Sequence, residues 1–511
     1  MGAEPSSRPG WRPWAGLAVL ALPTVLLGLD VTALYLVVPS LAVDLHPTAT
    51  ETLWIMDAYG FLIAGFLITM GTLGDRIGRR RLLMIGMAAF GAASVLAAFA
   101  PSALWLIAAR ALLGVAGATL MPSTLSLISN MFADARQRAS AIGVWATMFA
   151  LGMAAGPVVG GVLTAHFWWG AVFLIAVPIS VVVLVAAPAL LPEYRSDAPR
   201  LDLRSVALSL AAMLPIIYAI KHVATHGIDA QALAAVLLGG GSTVAFLRRQ
   251  LRLREPLLDI RLFTDRAFSS ALSVLLIGLV GFGGAMYLVT QYLQLVEGLS
   301  PLAAGLWMGP PAVAMLIGGI GAPLIAGRVS PGIVMAATLA LSLIGYVLLA
   351  FAGTDSKPTV VAGFAFVYLG LGVIAALGTD IVVSAAPSTR SGSAAALSET
   401  VQELGIAAGV ALLGSLTTAI YRTAVEAPPG LSRSVAESYS DSLSGAMSVR
   451  DQLPVAALHR AQDAFTSGLN TAAIVAGIAV AGAAIVCFRM LRHIGPIGAA
   501  DHEEETIAST S

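Results

Sequence analysis

Four acidic residues lie inside long apolar runs of this sequence, where a carboxylate is costly. They are Asp30, Asp57, Glu399 and Glu403. A carboxylate at the depth of a bilayer core marks, by default, a path for an ion, a proton or a substrate. Two of these acids lie near the start of the chain and two lie near its end. A single site to which both halves of a transporter contribute would need that distribution.

Glu399 and Glu403 are four residues apart, so on a helix they share one face. Two carboxylates this close and half-desolvated should not both ionise easily, and they should titrate as a coupled pair. A lipophilic cation stabilises the charged form of the pair, whereas a proton neutralises it. The two ligands would therefore compete for one site, which is the minimal requirement for antiport.

Arg110 places a guanidinium inside another apolar run. Because this group is always charged, it must find a carboxylate, backbone carbonyls or water, or else extend to the nearby end of its helix. Asp30 lies somewhat beyond the middle of the first run, and it could be the partner of Arg110 or an acid in a water-filled cavity. Asp57 lies near the start of its run and could simply cap a helix.

Composition places the whole chain in a membrane. Its 511 residues are 58% hydrophobic and 11% charged, with a mean hydropathy of +0.88, whereas soluble domains are about 25% charged. The net charge is zero, so we expect no nucleic-acid partner. The single cysteine, Cys487, can form neither an internal disulfide nor a cysteine-rich metal site. Neither lysine follows a glycine, so the phosphate-binding P-loop is missing. No Ser/His/Asp or Cys/His arrangement stands out, and His222 and His226 alone are an unlikely metal site. We therefore expect no enzyme, no metal and no cofactor.

Apolar runs of bilayer-spanning length recur along the chain and predict fourteen helices, since helices satisfy their own backbone in lipid. The predicted spans are 15–39, 53–73, 82–100, 104–129, 140–164, 171–191, 205–222, 232–247, 268–296, 302–326, 333–352, 359–385, 394–420 and 468–488. Most of the 28 basic residues fall in links on the side of the N-terminus, whereas Lys221 and Lys357 fall in short links on the other side. This asymmetry predicts that both termini are cytoplasmic.

The same pattern predicts four parts of an all-α membrane protein. We expect an N-terminal six-helix bundle (1–200), two inserted transmembrane helices (201–266), a C-terminal six-helix bundle (267–488) and a disordered cytoplasmic tail (489–511). Segment 421–467 is the one long link on the outer side. It is either a spacer or an amphipathic helix or hairpin from about Val435 to Phe465.

The link between the second and third spans reads GTLGDRIGRRR (71–81). Its glycines permit a tight turn between two helices. Its one carboxylate, Asp75, could accept from the amides that begin a helix or pair with a nearby arginine. A positive-inside anchor plus a turn explains the arginines of this link but not the spacing of its Gly, Asp and Arg residues. We predict that the link is a loop with a conformational role, made of Gly71, Gly74, Asp75, Arg76, Gly78, Arg79 and Arg80.

The fifth span contains ALGMAAGPVVGGVL (150–163). Gly152, Gly156, Gly160 and Gly161 recur at nearly four-residue spacing and so lie almost on one face, while Pro157 adds a local bend. Such a face allows two helices to approach closely. Plain packing explains this pattern, and packing is also what a tight, low-relief interface between moving halves would need.

These motifs, together with LDVTALYLVVP (29–39) in the first span, resemble the major facilitator superfamily. Within it, the chain resembles the fourteen-span drug:proton antiporters, in particular bacterial efflux pumps for quaternary ammonium compounds and cationic dyes. The resemblance implies a major facilitator fold of two six-helix bundles plus two added helices, and alternating access driven by protons.

The resemblance also assigns roles to residues. It implies that Asp30, Asp57 and the glutamate pair bind protons or cationic substrate, and that Arg110 supports proton transfer. Some relatives carry an acid in the tenth span, where this chain has Met315. That departure argues against strong recognition of dications.

The expected function is proton-coupled efflux of lipophilic, mainly monovalent cations, such as quaternary ammonium compounds, ethidium-like dyes and acriflavine. We expect a monomer in the bacterial plasma (inner) membrane that contributes to antibiotic resistance. Aromatic and methionine side chains suit the wall of a cation site, and the candidates are Trp54, Tyr59, Phe149, Tyr287, Trp307 and Met308. Export of an endogenous antibiotic or metabolite is the alternative. The glutamate pair and the glycine-rich fifth span disfavour a channel or a receptor.

Overall fold

The computed structural model describes residues 11–132, 135–195, 202–253, 256, 260–385 and 391–495. Within these ranges the chain is helical and contains no β-strand. The first nine helices are α1 (Trp11–Leu45), α2 (Ala49–Ile77), α3 (Arg79–Ala98), α4 (Ala103–Met131), α5 (Ala135–His166), α6 (Ala171–Leu174), α7 (Ala176–Leu190), α8 (Leu203–His226) and α9 (Ala230–Arg252).

The other nine helices are α10 (Arg266–Gln291), α11 (Pro301–Trp307), α12 (Gly309–Ala326), α13 (Pro331–Ala350), α14 (Lys357–Ser384), α15 (Ser391–Ala424), α16 (Arg433–Asp441), α17 (Leu443–Ser448) and α18 (Val455–Leu491). Two short 3-10 turns (Ile260–Thr264 and Arg450–Gln452) and a π-helical turn (Tyr292–Val296) complete the described elements.

The span count agrees with the fourteen runs of the sequence. Among the described residues, thirteen helical runs are long and apolar enough to cross a membrane, and the bent helix α2 makes fourteen. Two of the spans are each built from a pair of helices, α6 with α7 and α11 with α12. The last span begins at Val455 rather than at position 468 and continues to Leu491. Most of the predicted disordered tail, residues 496–511, lies outside the described residues.

The helices pack as two groups with a pair outside them. Helices α1–α7 contact one another, as do α10–α18. Helix α8 lies against both α2 and α15, whereas α9 packs mainly on α8. The limits of 1–200 and 201–266 remain predictions, because residues 196–201 lie outside the described part of the chain.

The two ends of the bundle are distinguishable. At the end where α1 begins, which we call the N-terminal face, Gly16 packs against Met131 and Leu191. The end of α18 lies at the same face as the start of α13, where Ser330 Oγ is 3.4 Å from the carbonyl oxygen of Leu491. Helix α18 starts at the other end of the bundle, where Gly468 packs against Thr417 near the end of α15 and Gly414 of α15 packs against Leu53 near the start of α2. Both described chain ends therefore lie at the N-terminal face.

At the opposite face the two groups of helices are in contact. A Cβ on Gly161 of α5 would lie 2.5 Å from the carbonyl oxygen of Pro301 in α11. A Cβ on Gly305 of α11 would lie 2.6 Å from the carbonyl oxygen of Pro157. Glycine allows this approach because it has no Cβ. The molecule is thus closed between its halves at the opposite face.

The long segment 421–467 forms a folded cap on that face. The hydroxyl of Tyr421 donates to the carbonyl of Tyr439 at 2.8 Å, and the hydroxyl of Tyr439 donates to the carbonyl of Ala457 at 3.0 Å. Asp441 accepts from the backbone N–H of Ala49 at 2.6 Å and pairs with Arg422. Of the two alternatives in the sequence, the spacer is wrong. The helical alternative describes α16 and α17.

Candidate functional site

A cavity of about 300 Å³ lies between the two halves, on the N-terminal side of the contact between α5 and α11. Helices α4 and α5 contribute one wall, and α10, α12, α14 and α15 contribute the other. The lining residues are Met121, Trp145, Ala146, Thr147, Phe149, Ala150, Met153, Leu279, Met315, Leu316, Gly319, Ile320, Leu371, Gly372, Ala375, Ala376, Thr379, Glu399, Gln402, Glu403 and Ile406.

Glu399 and Glu403 both line this cavity, on one face of α15. Glu403 is buried, and Glu399 is partly exposed to the cavity. The two carboxylates are close enough to interact electrostatically. None of the described residues that line the cavity is a lysine, arginine or histidine. The charges of this pair are therefore not balanced by a basic group in the cavity wall.

A polar cluster stands beside the pair. Thr379 Oγ1 of α14 and Ser398 Oγ of α15 are 3.2 Å apart. The side-chain amide of Gln402 donates weakly to both hydroxyl groups, at 3.4 Å. This cluster ties α14 to α15 at the level of the carboxylates, so it fixes the rotation of the helix that carries them.

The wall of the cavity is aromatic and sulfur-rich, although most of the aromatic residues predicted for it lie elsewhere. Phe149 lines the cavity together with Trp145, Met121, Met153 and Met315. The indole N–H of Trp145 donates to Thr124 Oγ1 at 3.0 Å, which fixes the ring. Trp145 was not among the residues predicted from the sequence. Trp145 lies four residues before Phe149 and therefore on the same helical face. This spacing could have predicted that Trp145 lines the cavity.

The other predicted wall residues have different neighbours. Trp54 lies against Lys221 and Tyr59 against Arg110. Tyr287 lines a separate small cavity, Trp307 lies 5.5 Å from Lys357, and Met308 is buried. None of these five side chains lines the cavity in this conformation, and their role in a cation wall stays a prediction.

Asp30 and Arg110 form a buried ion pair. Arg110 Nη1 lies 2.7 Å from Asp30 Oδ2, and Arg110 Nε donates to the carbonyl of Ile55 at 3.2 Å. The guanidinium also lies 4.5 Å from the ring centroid of Tyr59. Glu403 is within electrostatic reach of both members of the pair. Of the alternatives left by the sequence, Asp30 is the partner of Arg110, and Arg110 does not extend to its helix end.

Asp57 forms a second buried ion pair, with a lysine that the charge pattern of the sequence assigned to a link. Lys221 lies inside α8, and its Nζ is 2.7 Å from Asp57 Oδ2. Both side chains are buried, with 1% and 0% of their surface exposed. Asp57 does not cap α2, because that helix begins at Ala49 and is capped by Thr48. The assignment of Lys221 to an outer link and the capping role of Asp57 are therefore wrong.

The link between α2 and α3 is one residue long, much shorter than the predicted conformational loop. Helix α2 continues through Gly71, Gly74, Asp75 and Arg76, and α3 starts at Arg79. Only Gly78 lies between them, and its φ of 114° is one that glycine tolerates. The predicted link is too long because glycine and charge both mark loops in a sequence, whereas tertiary contacts here keep these residues helical.

Charged contacts hold this turn at the N-terminal face. Asp75 pairs with Arg79, at 2.7 Å from Asp75 Oδ1 to Nε, which is one of its two predicted roles. The amide of Arg80 instead donates to Glu193, at 3.0 Å. The guanidinium of Arg80 donates to the carbonyl of Leu191 at 2.9 Å. The turn between α2 and α3 is thereby fixed to the end of α7, and no pattern in the sequence pointed to Glu193.

The glycines of α5 serve two interfaces rather than one. Gly152, Gly156 and Gly160 face α1, where a Cβ on Gly160 would lie 2.7 Å from the carbonyl oxygen of Ala33. Thr32 Oγ1 of α1 donates to the carbonyl of Met153 at 2.9 Å. Gly161 instead faces α11 in the other half. The glycine-rich span thus joins two helices within one half and also contacts the other half.

The fold and the site together define a class of protein. Two helical groups meet around a cavity that contains buried carboxylates, and the helices are apolar enough to span a membrane. This is the architecture of a secondary transporter with its site between two halves.

Comparison with known proteins identifies the family. The family model of the Major Facilitator Superfamily matches residues 20–410, and the chain belongs to that family. The chain is 45% identical over 491 residues to the multidrug efflux pump LfrA of Mycolicibacterium smegmatis, covering 95% of this chain and 97% of that protein. It is 34% identical to the methyl viologen resistance protein SmvA of Salmonella typhimurium, covering 87% and 90%.

The solved structures agree on the fold. A bacterial homologue of the human lysosomal transporter Spinster, described as inward-facing and unoccupied, superimposes with a TM-score of 0.62 at 17% identity, covering 96% of this chain and 98% of that one. This protein is therefore a multi-pass transport protein of the bacterial inner membrane and not an enzyme.

Proposed function

We propose that this protein is a proton-coupled multidrug efflux antiporter for lipophilic, mainly monovalent cations. The observation that carries the proposal is the pair of glutamates in the cavity, which no basic residue balances in the described part of the wall. Cargo that complements this site has an apolar body and a positive charge. Quaternary ammonium compounds, ethidium-like dyes and acriflavine have that chemistry.

The cavity wall supports the same cargo class. Trp145 and Phe149 offer aromatic faces, and Met121, Met153 and Met315 offer polarisable side chains that adapt to different shapes. A cavity of about 300 Å³ is at the small end of the roughly 300–1,000 Å³ of drug-sized pockets. An adaptable wall around a charge selects for charge and hydrophobicity more than for shape, as a multidrug pump must.

Coupling follows from competition at Glu399 and Glu403. A proton and a cation neutralise the same carboxylates, so loading of one ligand expels the other. The proton gradient then drives export, because one elementary charge moved through 100 mV is worth about 2.3 kcal/mol. No other coupling cofactor is proposed.

The Asp30–Arg110 pair is placed to support proton transfer. It lies within electrostatic reach of Glu403 and joins α1 to α4 inside one half. A movement of α4 against α1 that lengthens this 2.7 Å contact would separate Arg110 from Asp30. We propose that the pair supports proton transfer to and from the cavity in this way.

The sidedness of the cycle is also part of the proposal. The cavity lies towards the N-terminal face, and basic residues are concentrated in the links of that face. The positive-inside rule therefore orients both termini, and the cavity, towards the cytoplasm. A drug exporter loads its cargo from that side.

The test is ethidium uptake into inside-out vesicles with an imposed pH gradient, interior acidic. The parent should accumulate ethidium saturably and should dissipate the gradient when ethidium is added. Glu399→Gln and Glu403→Gln should each lose most of this uptake, because each removes a carboxylate from the cavity. Glu437→Gln, at an exposed position on α16, is the matched control.

Two results would contradict the proposal. One is parental uptake by both cavity variants. The other is ethidium movement that does not saturate and persists after a protonophore collapses the gradient, as through a channel. An exporter of an uncharged metabolite would instead tolerate the cavity variants with its own cargo, and the uncompensated glutamates disfavour it.

A further inference from the structure

Lys221 places a buried ammonium between a carboxylate and an aromatic ring. Its Nζ lies 2.7 Å from Asp57 Oδ2 and 4.1 Å from the ring centroid of Trp54. Proteins bind quaternary ammonium ligands on aromatic faces, and here a carboxylate lies on the other side of the cation. Here the cation that fills it belongs to the chain itself.

The lysine reaches this place from an inserted helix. Helix α8 lies along the seam between α2 and α15, where Phe61, Ile217, Ala407 and Ala411 form a buried apolar cluster. Ile217 precedes Lys221 by about one helical turn, so the same face of α8 carries both. The seam therefore holds the ammonium at the junction of the two halves.

Asp57 shares its electrostatic surroundings with the transport site. The ionisable groups that act on it or feel it are Lys221 from α8, Arg110 from α4, Tyr35 from α1 and Tyr287 from α10. Tyr35 also feels Glu403. Arg110 acts on both Asp57 and Glu403. A Cβ on Gly60, one helical turn after Asp57, would lie 3.6 Å from the carbonyl oxygen of Glu403, so α2 meets α15 directly at the level of the glutamate pair.

We propose that Lys221 is a specificity-determining residue, a tethered cation that occupies Asp57 so that cargo meets only the charge of Glu399 and Glu403. This inference rests on the proposed function only in taking lipophilic cations as cargo. With Asp30 paired to Arg110 and Asp57 paired to Lys221, two buried carboxylates are balanced by the chain. The glutamate pair is left to balance protons or cargo, which sets a limit on the cargo's charge.

The proposal predicts opposite effects for the two members of the pair. Lys221→Met leaves Asp57 unbalanced and adds one negative charge near the site, which favours a dication over a monocation. Asp57→Asn leaves the ammonium unbalanced and disfavours the dication. The double variant restores the charge balance and should return the parental preference.

Ethidium and propidium measure this preference directly. They share one phenanthridinium ring system, and propidium carries a second, quaternary ammonium charge. Binding to purified protein is followed by fluorescence, and vesicle transport is measured in parallel. Lys221→Met should raise the ratio of propidium to ethidium affinity about tenfold, equivalent to about 1.4 kcal/mol, and Asp57→Asn should lower it.

Two further variants separate charge from packing. Lys221→Arg keeps the charge and should keep the parental ratio. Lys357→Met removes the other lysine of the chain, which lies near the opposite face. This lysine also has an acid and a tryptophan beside it, but at longer distances, 4.0 Å to Glu297 and 5.5 Å to the ring of Trp307. It should leave the ratio unchanged, since it is remote from the cavity.

The ratio of propidium to ethidium affinity tests the proposal even if one of the single variants does not fold. The proposal predicts a rise of this ratio in Lys221→Met and a fall in Asp57→Asn, so either variant alone is a test. An unchanged ratio in the folded single variants overturns it, as does a double variant that keeps the shift of Lys221→Met. Failure of the proposed function has a different signature: the parent binds neither dye, or moves ethidium without a proton gradient. Binding that responds as predicted without proton-driven transport supports Lys221 and refutes the antiport.

Discussion

A single added methyl group at Gly161 should open the molecule at the opposite face. Its Cβ would lie 2.5 Å from the carbonyl oxygen of Pro301 and 3.1 Å from Cα of Leu302. Carbon–oxygen contacts normally begin at about 3.3 Å, so α5 and α11 must separate by roughly 0.8 Å. Both obstructing atoms belong to backbone, which cannot rotate away as a side chain can.

Overpacking of this size costs about 1–3 kcal/mol. The cost falls on the conformation in which α5 and α11 touch and not on one in which they have parted. A bias of that size changes the population ratio of two conformations roughly 5- to 150-fold. Gly161→Ala should therefore favour the conformation that is open at the opposite face, and it should slow transport, because the cycle must pass through both.

Two alanine substitutions on the same helix are matched controls. A Cβ added to Gly143 of α5 would have no neighbouring atom within 4 Å, so Gly143→Ala tests helix propensity alone. Gly160→Ala places its Cβ 2.7 Å from the carbonyl oxygen of Ala33, within one half. It should lower thermal stability in both conformations without changing their ratio.

The assay is a distance measurement between spin labels on the two halves by double electron–electron resonance. Phe167 and Val455 suit the labels, because they are 59% and 70% exposed at the opposite face. Replacing Cys487, the one native cysteine, with serine leaves the labels unique. Gly161→Ala should add a longer distance that neither control shows. If all three variants share the parental distribution, the contact of α5 with α11 is not the closure between the halves.

Three further predictions concern ion pairs. Arg110→Met should lower the stability of the purified protein by roughly 3–5 kcal/mol, because it leaves Asp30 buried and unpaired. The double variant with Asp30→Asn should recover part of this stability. If it recovers none, lost packing rather than an unpaired charge explains the effect of Arg110→Met. Asp441→Ala removes a hydrogen bond between the cap and the start of α2, and a charged hydrogen bond is worth about 1.5–3 kcal/mol. This variant should lengthen the same spin-label distance, whereas Glu437→Ala, at an exposed position, should not. Equal behaviour of the two variants would show that the Asp441 contact does not hold the halves together. Burial raises the pKa of Asp202, but hydrogen bonds from a neighbouring arginine and serine outweigh it and lower the pKa from 3.8 to about 2. The stabilisation from these bonds is then present above pH 4 and is lost only as the pH falls through about 2. Asp202→Asn should therefore lower the melting temperature equally at pH 5 and pH 8, and a difference between the two would show that another group titrates.

The sequence was sufficient for the architecture because the bilayer imposes a length on every apolar run. It was less reliable for helix ends. Helix α18 begins at Val455, thirteen residues before its apolar run, because contacts such as that of Tyr439 with Ala457 keep the polar part helical. Similarly, Gly71 and Gly74 look like loop residues but remain in α2. Tertiary contacts decided these limits, and single-sequence propensity does not contain them.

The sequence pointed to the carboxylates that line the cavity because each is a charged residue inside an apolar run. Glu399 and Glu403 were found in this way, because hydrophobic surroundings make a carboxylate conspicuous. The partners of charges were harder to find. Asp30 and Arg110 are 80 positions apart, so the pair was one alternative among several. Lys221 stood near the end of its apolar run and resembled a link residue, and only the packing of α8 on α2 reveals its partner.

The position of α9 has a mechanical consequence. It packs mainly on α8, and α8 bridges α2 and α15, which belong to different halves. When the halves move apart, α8 must stay with one of them. Helix α9, which packs on α8, is then displaced sideways through the acyl chains. Part of the work of each turnover is therefore done against the viscosity of the lipid, and the transport rate should fall in stiffer, more ordered lipid when all other conditions are held constant.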